Sequence, residues 1–343
     1  MPPASSLAAL PFAELEARLG SRARALAARK WLFGRGALGG RIVGLSAKLG
    51  EALLAEAPLP EHQRLARQVA PDGTTKLALG FPGATVEAVM IPGRGRSTVC
   101  LSSQAGCTRA CTFCATARLG FARNLAAAEI VLQYALAARE APADAPARNV
   151  VFMGMGEPLD NLDAVLAAEA VLMEPPYPRL SPAHVTVSTS GVVPGMKRYL
   201  REGRGRLALS LNATNDELRR RLMPHTLTWP IAALLGAIRE AQAEDPGKSV
   251  FVEYVLWDGV NDADADAEAL CALLDGIAAH VNLIPHNPVA GLAFAPSPVA
   301  RVRAFQKRLA DAGRRTIVRW PKGAGIAAAC GQLANQVPAA SVS

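Results

Sequence analysis

No run of about 18 uncharged apolar residues occurs in the 343-residue chain, so no segment has the make-up of a membrane-spanning helix. The amino terminus, MPPASSLAALPFAELEARLG, lacks a basic region followed by a continuous apolar core, as a secretion signal would have, and a cytoplasmic protein without a membrane partner is expected. No internal repeat of fixed period is present. The glycine-rich GRGALGG does not follow a strand in a βαβ unit, which argues against a dinucleotide-binding loop. Net negative charge is also missing. A formal charge of +8 favours a polyanionic partner, because a basic surface lowers the free energy of approach to phosphate.

Cysteine is scarce and unevenly spread. Of six, Cys100, Cys107, Cys111 and Cys114 share one short stretch, while Cys271 and Cys330 stand alone. In a long chain without a secretion signal, such clustering favours metal binding or catalysis over a disulfide framework. With half its residues hydrophobic, the chain can bury the core of one large domain and a small one.

Residues 1 to about 70 carry helical apolar spacing in PFAELEARLGSRARALAARKWLF and GRIVGLSAKLGEALLAE. Residues 1–72 therefore read as a helical accessory domain whose basic residues, including Arg22, Arg24, Lys30, Arg35, Arg41 and Lys48, face either RNA or plain solvent. TTKLALG and ATVEAVMIP, joined through FPG, read as a hairpin linker over 73–96. From there strand-like runs (STVCLSS, NVVFMGMG, VTVSTSG, LALSLNA, VFVEYVL, VNLIP and a late RTIVRW) alternate with helical ones. This alternation predicts an α/β fold, a partial (β/α)6 barrel over 97–335 with a C-terminal catalytic loop, and leaves 336–343 as a disordered tail. Cys107 to Cys114, Gly154 to Pro158, Ser188 to Gly191, Ser210 to Asn212 and Pro285 to Pro288 each follow a predicted strand. In β/α barrels that face is the working face, so these segments should converge.

CTRACTFC, from Cys107 to Cys114, is a C-x3-C-x2-C arrangement. Three thiolates can hold three irons of a 4Fe-4S cubane and leave the fourth iron open to a small molecule. The alternatives are a zinc site completed by Cys100, although zinc sites usually build from C-x2-C pairs, or merely structural thiols. Cys271, in AEALCALLDGIAAH, has helical spacing and reads as core.

The triplet, with Phe113 before its last cysteine, resembles the radical S-adenosylmethionine (radical SAM) superfamily. The longer string CLSSQAGCTRACTFCATARLGFARNL resembles the RlmN/Cfr-type rRNA adenine methyltransferases, and so, in family order, do FMGMGEPLDN, VTVSTSGVVP, LALSLNATNDELR, VEYVLWDGVND, VNLIPHNP and AACGQL. The resemblance spans about residues 75 to 335.

The resemblance implies that a 4Fe-4S cluster on Cys107, Cys111 and Cys114 binds S-adenosylmethionine and cleaves it reductively to a 5′-deoxyadenosyl radical. It implies that Cys330 is methylated first, that its methylene radical adds to the base, and that Cys100 resolves the adduct by forming a disulfide. Glu87 takes the place of the base that deprotonates the adduct; a carboxylate among apolar neighbours suits that role, since burial raises its proton affinity. Read without the resemblance, Glu87 would be an exposed strand residue, and Cys100 and Cys330 apolar fillers. Contacts to S-adenosylmethionine fall on Gly156, Glu157, Ser188, Ser210, Leu211, Asn212 and Asn287. Glycine allows close backbone approach at Gly156, and Glu157 can accept hydrogen bonds from an ammonium or hydroxyls.

Three positions depart from the family pattern: Asn212 where relatives commonly have histidine, and, in WPKGAGIAAACGQL, Lys322 for arginine and Gly325 at an acidic position. The expected activity is methylation of an adenine carbon, C2 favoured, in 23S rRNA and also tRNA. The alternatives are C8 methylation, radical SAM methylation of a substrate other than RNA, or a zinc-stabilised RNA-binding module. Expected partners are RNA and an electron donor such as flavodoxin or ferredoxin, with the protein a monomer. The basic segments KRYLREGRGR, LRRR and GRRTIVRWPK suit phosphate contacts at the rim or are ordinary helix-surface charge. A base in structured RNA would have to leave its stack to reach the cluster.

Overall fold

In the computed structural model of the chain, residues 6–334 are described, apart from the side chains of 226 and 227; the expected tail at 336–343 lies outside the described residues. Three helices open the chain: α1 (Phe12–Leu19), α2 (Arg22–Phe33) and α3 (Ala47–Glu56). Leu10, Phe12, Leu15, Leu19, Ile42 and Leu53 close on one another as a small core of their own. Ser46 starts α3 by accepting a hydrogen bond from the Leu49 amide at 3.3 Å, the usual remedy for an unpaired helix N-terminus.

The helical reading up to about residue 70 is corrected by a strand, β1 (Gln63–Val69). It forms the edge of an antiparallel meander with β2 (Thr75–Phe81) and β3 (Ala84–Ile91). Arg64 and Arg67 on this edge reach Glu140 at 3.9 and 2.9 Å, and charged side chains are common on edge strands because they discourage further pairing.

β3 pairs antiparallel with β4 (Ser97–Cys100), so the meander and the parallel strands beyond it share one sheet. A small hairpin of β5 (Gln104–Gly106) and β6 (Phe121–Asn124) brackets the CTRACTFC loop. From β4 the sheet runs parallel through β7 (Ala147–Phe152), β8 (Val185–Thr189), β9 (Arg206–Ser210), β10 (Val250–Leu256), β11 (Ala279–Pro285) and β12 (Arg315–Val318). The order of the ten strands is β1-β2-β3-β4-β7-β8-β9-β10-β11-β12, with β1 and β12 at the two edges, as in a partial barrel. Helices α4 (Ala127–Ala137), α5 (Leu162–Met173), α6 (Val193–Glu202), α7 (Asp216–Leu222), α8 (Ile231–Glu244), α9 (Asp264–Leu273) and α10 (Val299–Asp311) lie between strands. The parallel strands up to β11 are rich in Val, Leu and Ala and largely buried, hence their nearly continuous apolar runs, whereas the edge strand β12 is exposed in part. Cys271, half-buried on α9, packs against this main core. No helix among the described residues is long and apolar enough to cross a membrane.

The N-terminal helices are fastened to the barrel by polar contacts. Arg29, 1 % exposed, donates to the Leu10 carbonyl at 2.8 Å and to Glu174 at 2.6 Å, and the Phe12 amide donates to the same Glu174 oxygen at 2.7 Å. Arg139 binds the end of α2, donating to the Trp31, Leu32 and Gly36 carbonyls at 2.9, 3.0 and 2.7 Å. Replacing Glu174 by Ala leaves the Arg29 guanidinium buried without its counter-charge, and a loss of about 3 kcal/mol is expected in denaturant unfolding. E240A, which removes an exposed ion pair with Lys197, is the control and should change little.

Candidate active site

The carboxyl ends of the parallel strands surround a cavity of about 170 Å³ that opens to solvent. All five segments expected to converge do so. Its walls include Cys107, Cys111 and Cys114 after β4, Gly156 and Glu157 after β7, Ser188 at the end of β8, Ser210 and Asn212 from the end of β9, and Asn287 after β11. Cys330 closes it from the C-terminal loop.

The cysteine loop is held from three sides. The Cys107 amide donates to the Gly120 carbonyl at 2.9 Å, the Thr112 amide to Leu222 at 2.9 Å, and the Ala115 amide to Gly331 at 2.7 Å. Thr108 and Arg109 both grip Asp160, the arginine with both carboxylate oxygens. Phe113 packs on Trp257 with ring centroids 4.8 Å apart, and Phe294 joins them. Burial pushes the Cys107 thiol up to about 12 and Cys111 well above the usual range, so as bare thiols they stay protonated. Arg219 runs beneath this loop. It is 1 % exposed, its own proton affinity is lowered to about 10 by burial, and it stands close enough to Cys111 to favour a thiolate there.

These features fit an iron–sulfur cubane. Three half-buried thiols face one cavity, a cation lies beneath them, and the Arg109 amide donates to Cys107 Sγ at 3.3 Å. No three His, Cys, Asp or Glu side chains among the described residues are gathered as ligands of a single ion, whereas a cubane spreads its three thiolates over three irons. Cys100, which a zinc site would need, lines a second, neighbouring cavity.

Gly156, at φ +100°, packs so close to Gln104 that a Cβ would stand 2.6 Å from that side chain, so only glycine fits at this point of the cavity wall. Glu157 is buried, its oxygens accepting from the Leu159 amide at 3.1 Å and the Ser190 amide at 2.7 Å; burial raises its proton affinity and the Ser190 amide opposes this. The Ser188 and Ser210 hydroxyls meet at 3.4 Å. Leu211 has its side chain in the core, and its backbone is engaged by Glu253 and Arg219. Asn212 adopts φ 61°, a conformation asparagine tolerates, and its Oδ1 accepts from the Val255 amide at 2.9 Å. Asn287 donates to the Cys330 carbonyl at 3.0 Å, while its Oδ1 is buried without a protein partner and lies at the cavity wall.

Cys330 lines both cavities, and Cys100 lines the second together with Arg319. Burial raises both thiols, Cys100 to about 12, and Arg319 opposes the shift in each. All six cysteines are free, so the disulfide that the resemblance implies is not formed. Glu87 lines neither cavity. It is fully buried on β3, 3.0 Å from Lys76 Nζ, and accepts from the Ala334 amide at 2.9 Å.

Several residues at the site carry no signal that singles them out in the sequence. Arg219 belongs to the LRRR run, read as rim phosphate contacts or helix-surface charge, and its burial removes it from both roles. Glu253, buried on β10, accepts from Asn282 at 2.8 Å and lies 3.5 Å from Arg319; its other oxygen has no partner and it lines the main cavity. His286, in the IPHNP segment, sits between Trp257 and Phe294, with burial pushing it down to about 4.

The fold and the three-thiol cavity define a radical SAM enzyme, and the sequence model of the Radical SAM superfamily matches residues 101–271. A radical SAM methyltransferase from Sphaerobacter thermophilus has a crystal structure that superposes with a TM-score of 0.88 at 39 % identity, covering 97 % of this chain and all of that one. A dual-specificity RNA methyltransferase RlmN from Syntrophobacter fumaroxidans is 47 % identical, covering 78 % of this chain and 79 % of its own, and one from Thermus thermophilus named as a probable RlmN is 44 % identical, covering 90 % and 88 %. A probable RNA methyltransferase from Sorangium cellulosum is 47 % identical over 85 % of this chain and 74 % of its own. The chain belongs to the RlmN family of radical SAM methyltransferases.

His286 gives the site a pH signature. Its folded proton affinity lies below the ordinary 6.5, so the unfolded chain binds the extra proton first and stability falls as pH drops from about 6.5 towards 4. The whole effect amounts to at most about 3 kcal/mol. In H286N the slope of unfolding free energy against pH over that window should flatten by up to one proton, measured by denaturant titration at a series of pH values.

Proposed function

We propose that this enzyme methylates a ring carbon of adenine, C2 in preference to C8, in 23S rRNA and also in tRNA, through a methylated Cys330. The observation that carries the reading is the position of Cys330 in the wall shared by two cavities, with the three-thiol loop on one side and Cys100 on the other. A residue that collects a methyl group at one site and delivers carbon at another needs this double access. C2 is taken from the resemblance of the motifs, and RNA from the relatives named as RNA methyltransferases together with the +8 charge.

With a reduced cluster on Cys107, Cys111 and Cys114, bound S-adenosylmethionine supplies the radical that activates the methyl group. The protein's own residues supply the rest. Gly156, Glu157, Ser188, Ser210, Leu211, Asn212 and Asn287 would hold the cofactor, with the unpartnered Oδ1 of Asn287 as an acceptor available to it. Glu157 spends a lone pair of each oxygen on backbone amides and keeps others for the ligand. Glu87 would take the ring proton from the RNA adduct, and the electron left unpaired by the radical addition would pass to the cluster, leaving a closed-shell thioether between Cys330 and the base. The Cys100 thiolate then attacks Cys330 Sγ: the S–S bond forms, the Cys330 sulfur–carbon bond breaks with its electron pair passing to the departing carbon, and that carbon gains a proton to become the product methyl. A dithiol reductant restores both cysteines. Arg319, in the same cavity as both, favours the thiolate this attack requires.

In this reading the N-terminal helices are an accessory unit for RNA, the β1–β3 meander joins them to the barrel as part of its sheet, and a cytoplasmic monomer draws electrons from a flavodoxin or ferredoxin. The test is an anaerobic reaction of the reconstituted protein with reductant, S-adenosylmethionine and unmodified rRNA or tRNA, followed by nucleoside mass spectrometry. 2-Methyladenosine is expected with the native chain and none with C330A, while C100A should accumulate protein covalently joined to RNA. 8-Methyladenosine would move the reaction to the other carbon, and cofactor cleavage without any methylated nucleoside would overturn RNA as the substrate.

A further inference from the structure

We infer that Lys76 is a positioning residue which, with Glu87, latches the Cys330 loop shut against the β1–β3 meander. The inference rests on Cys330 as the methyl-carrying residue proposed above. Lys76 is 2 % exposed, which is rare for lysine, and lies in a hairpin strand remote in sequence from the motifs of the site. Its Nζ stands 3.0 Å from Glu87 Oε1 and donates to the Ala327 carbonyl at 3.2 Å. Glu87 Oε2 accepts from the Ala334 amide at 2.9 Å. The pair therefore grips the loop three residues before Cys330 and four after it.

The start of the same loop is tied to the same meander. Lys322 donates to the Pro92 carbonyl at 3.0 Å, and the Gly323 amide donates to Asp72 at 3.0 Å. A Cβ at Gly323, which has φ +68°, would stand 2.7 Å from Thr74 Cγ2, so the approach is as close as backbone allows. Ala327, whose carbonyl Lys76 holds, is at φ 49°, a conformation an alanine keeps only where its surroundings over-determine it. On its other side the loop is held to the barrel by Ala328 and Leu333 in the main core and by bonds to Ala115, Thr116, Asn287 and Pro288, so the latch is what fixes its meander side.

Closing the loop puts Cys330 at the wall between the two cavities. It also keeps the Glu87 carboxylate engaged and out of both, so release of the latch is what lets Glu87 act on an adduct. One ion pair thus couples the position of the methyl carrier to the availability of the base.

Hydrogen exchange by mass spectrometry on the reconstituted full chain tests the latch without relying on turnover. In K76M, exchange of amides in 327–334 should rise about tenfold or more over the native chain while the barrel strands keep their protection. K76R should fall between the two, because it keeps the charge with altered geometry. Should K76M not fold, K76M/E87Q removes the buried carboxylate along with its counter-charge and must show the same loosening. RNA methylated per methylated Cys330 should drop at least tenfold in K76M, with the iron–sulfur absorption retained. Native protection of 327–334 in K76M, or in the double variant, would overturn the latch. Loosening in K76M alongside a native enzyme that leaves RNA unmodified would support the latch and overturn the RNA reading instead.

Discussion

The parallel register running from β4 to β12 is the constraint on which the site depends. Parallel strands all point their carboxyl ends the same way, so loops far apart in sequence reach one cavity without any of them having to be long. The loop after β4 supplies the three thiols, that after β7 the Gly156 and Glu157 turn, and those after β9 and β11 Asn212 and Asn287. Interstrand pairing fixes their mutual positions before any ligand arrives: Glu253 on β10 pairs with Ser210 on β9 and with Asn282 on β11, which places the buried carboxylate beside the donor that holds it.

Burial makes the electrostatics of this cavity consequential. Arg219 under the cysteine loop, Arg319 beside Glu253 and Arg109 on Asp160 put three guanidinium groups around a space whose occupants gain or lose negative charge. In a low-dielectric setting such fixed charges act more strongly than at the surface and need no rearrangement when the charge appears. Each is itself held by carbonyls or carboxylates. Arg219 donates to the Leu211 and Ser190 carbonyls, so its position follows from the β8 and β9 loops rather than from its own helix.

The sequence shows clearly those parts of the molecule that repeat a local pattern. Buried parallel strands and apolar-faced helices announce themselves through composition, and the three clustered cysteines and GMGEP through residue types that chemistry requires at fixed spacing. The features it hides depend on partners distant along the chain. Lys76 meets Ala327 across 251 residues and Glu87 meets Ala334 across 247, and nothing local in TTKLALG marks its lysine as buried. Arg219 looks like its neighbours in LRRR because one turn of helix does not reveal which arginine faces inward. Gln63–Val69 lies at the end of the span read as helical, outside the segments that carry helical spacing, and its pairing with β2 decides its conformation.

The departures from the family pattern divide by what they touch. Asn212 lines the cavity, with its side-chain oxygen committed to the Val255 amide and its carbonyl to Asn261, so it also fastens the β9–β10 connection. Lys322 keeps a donor in place, on the Pro92 carbonyl, and preserves the anchoring of the Cys330 loop. Gly325 is different: a Cβ there would meet nothing within 4 Å, and the residue lines an open groove shared with Arg118 and the Pro288–Ala290 turn. A carboxylate at that position would project into the groove, near a guanidinium that donates to the Ala290 carbonyl. With glycine there, the groove keeps Arg118 and has no carboxylate among its lining residues, a balance that favours an anion.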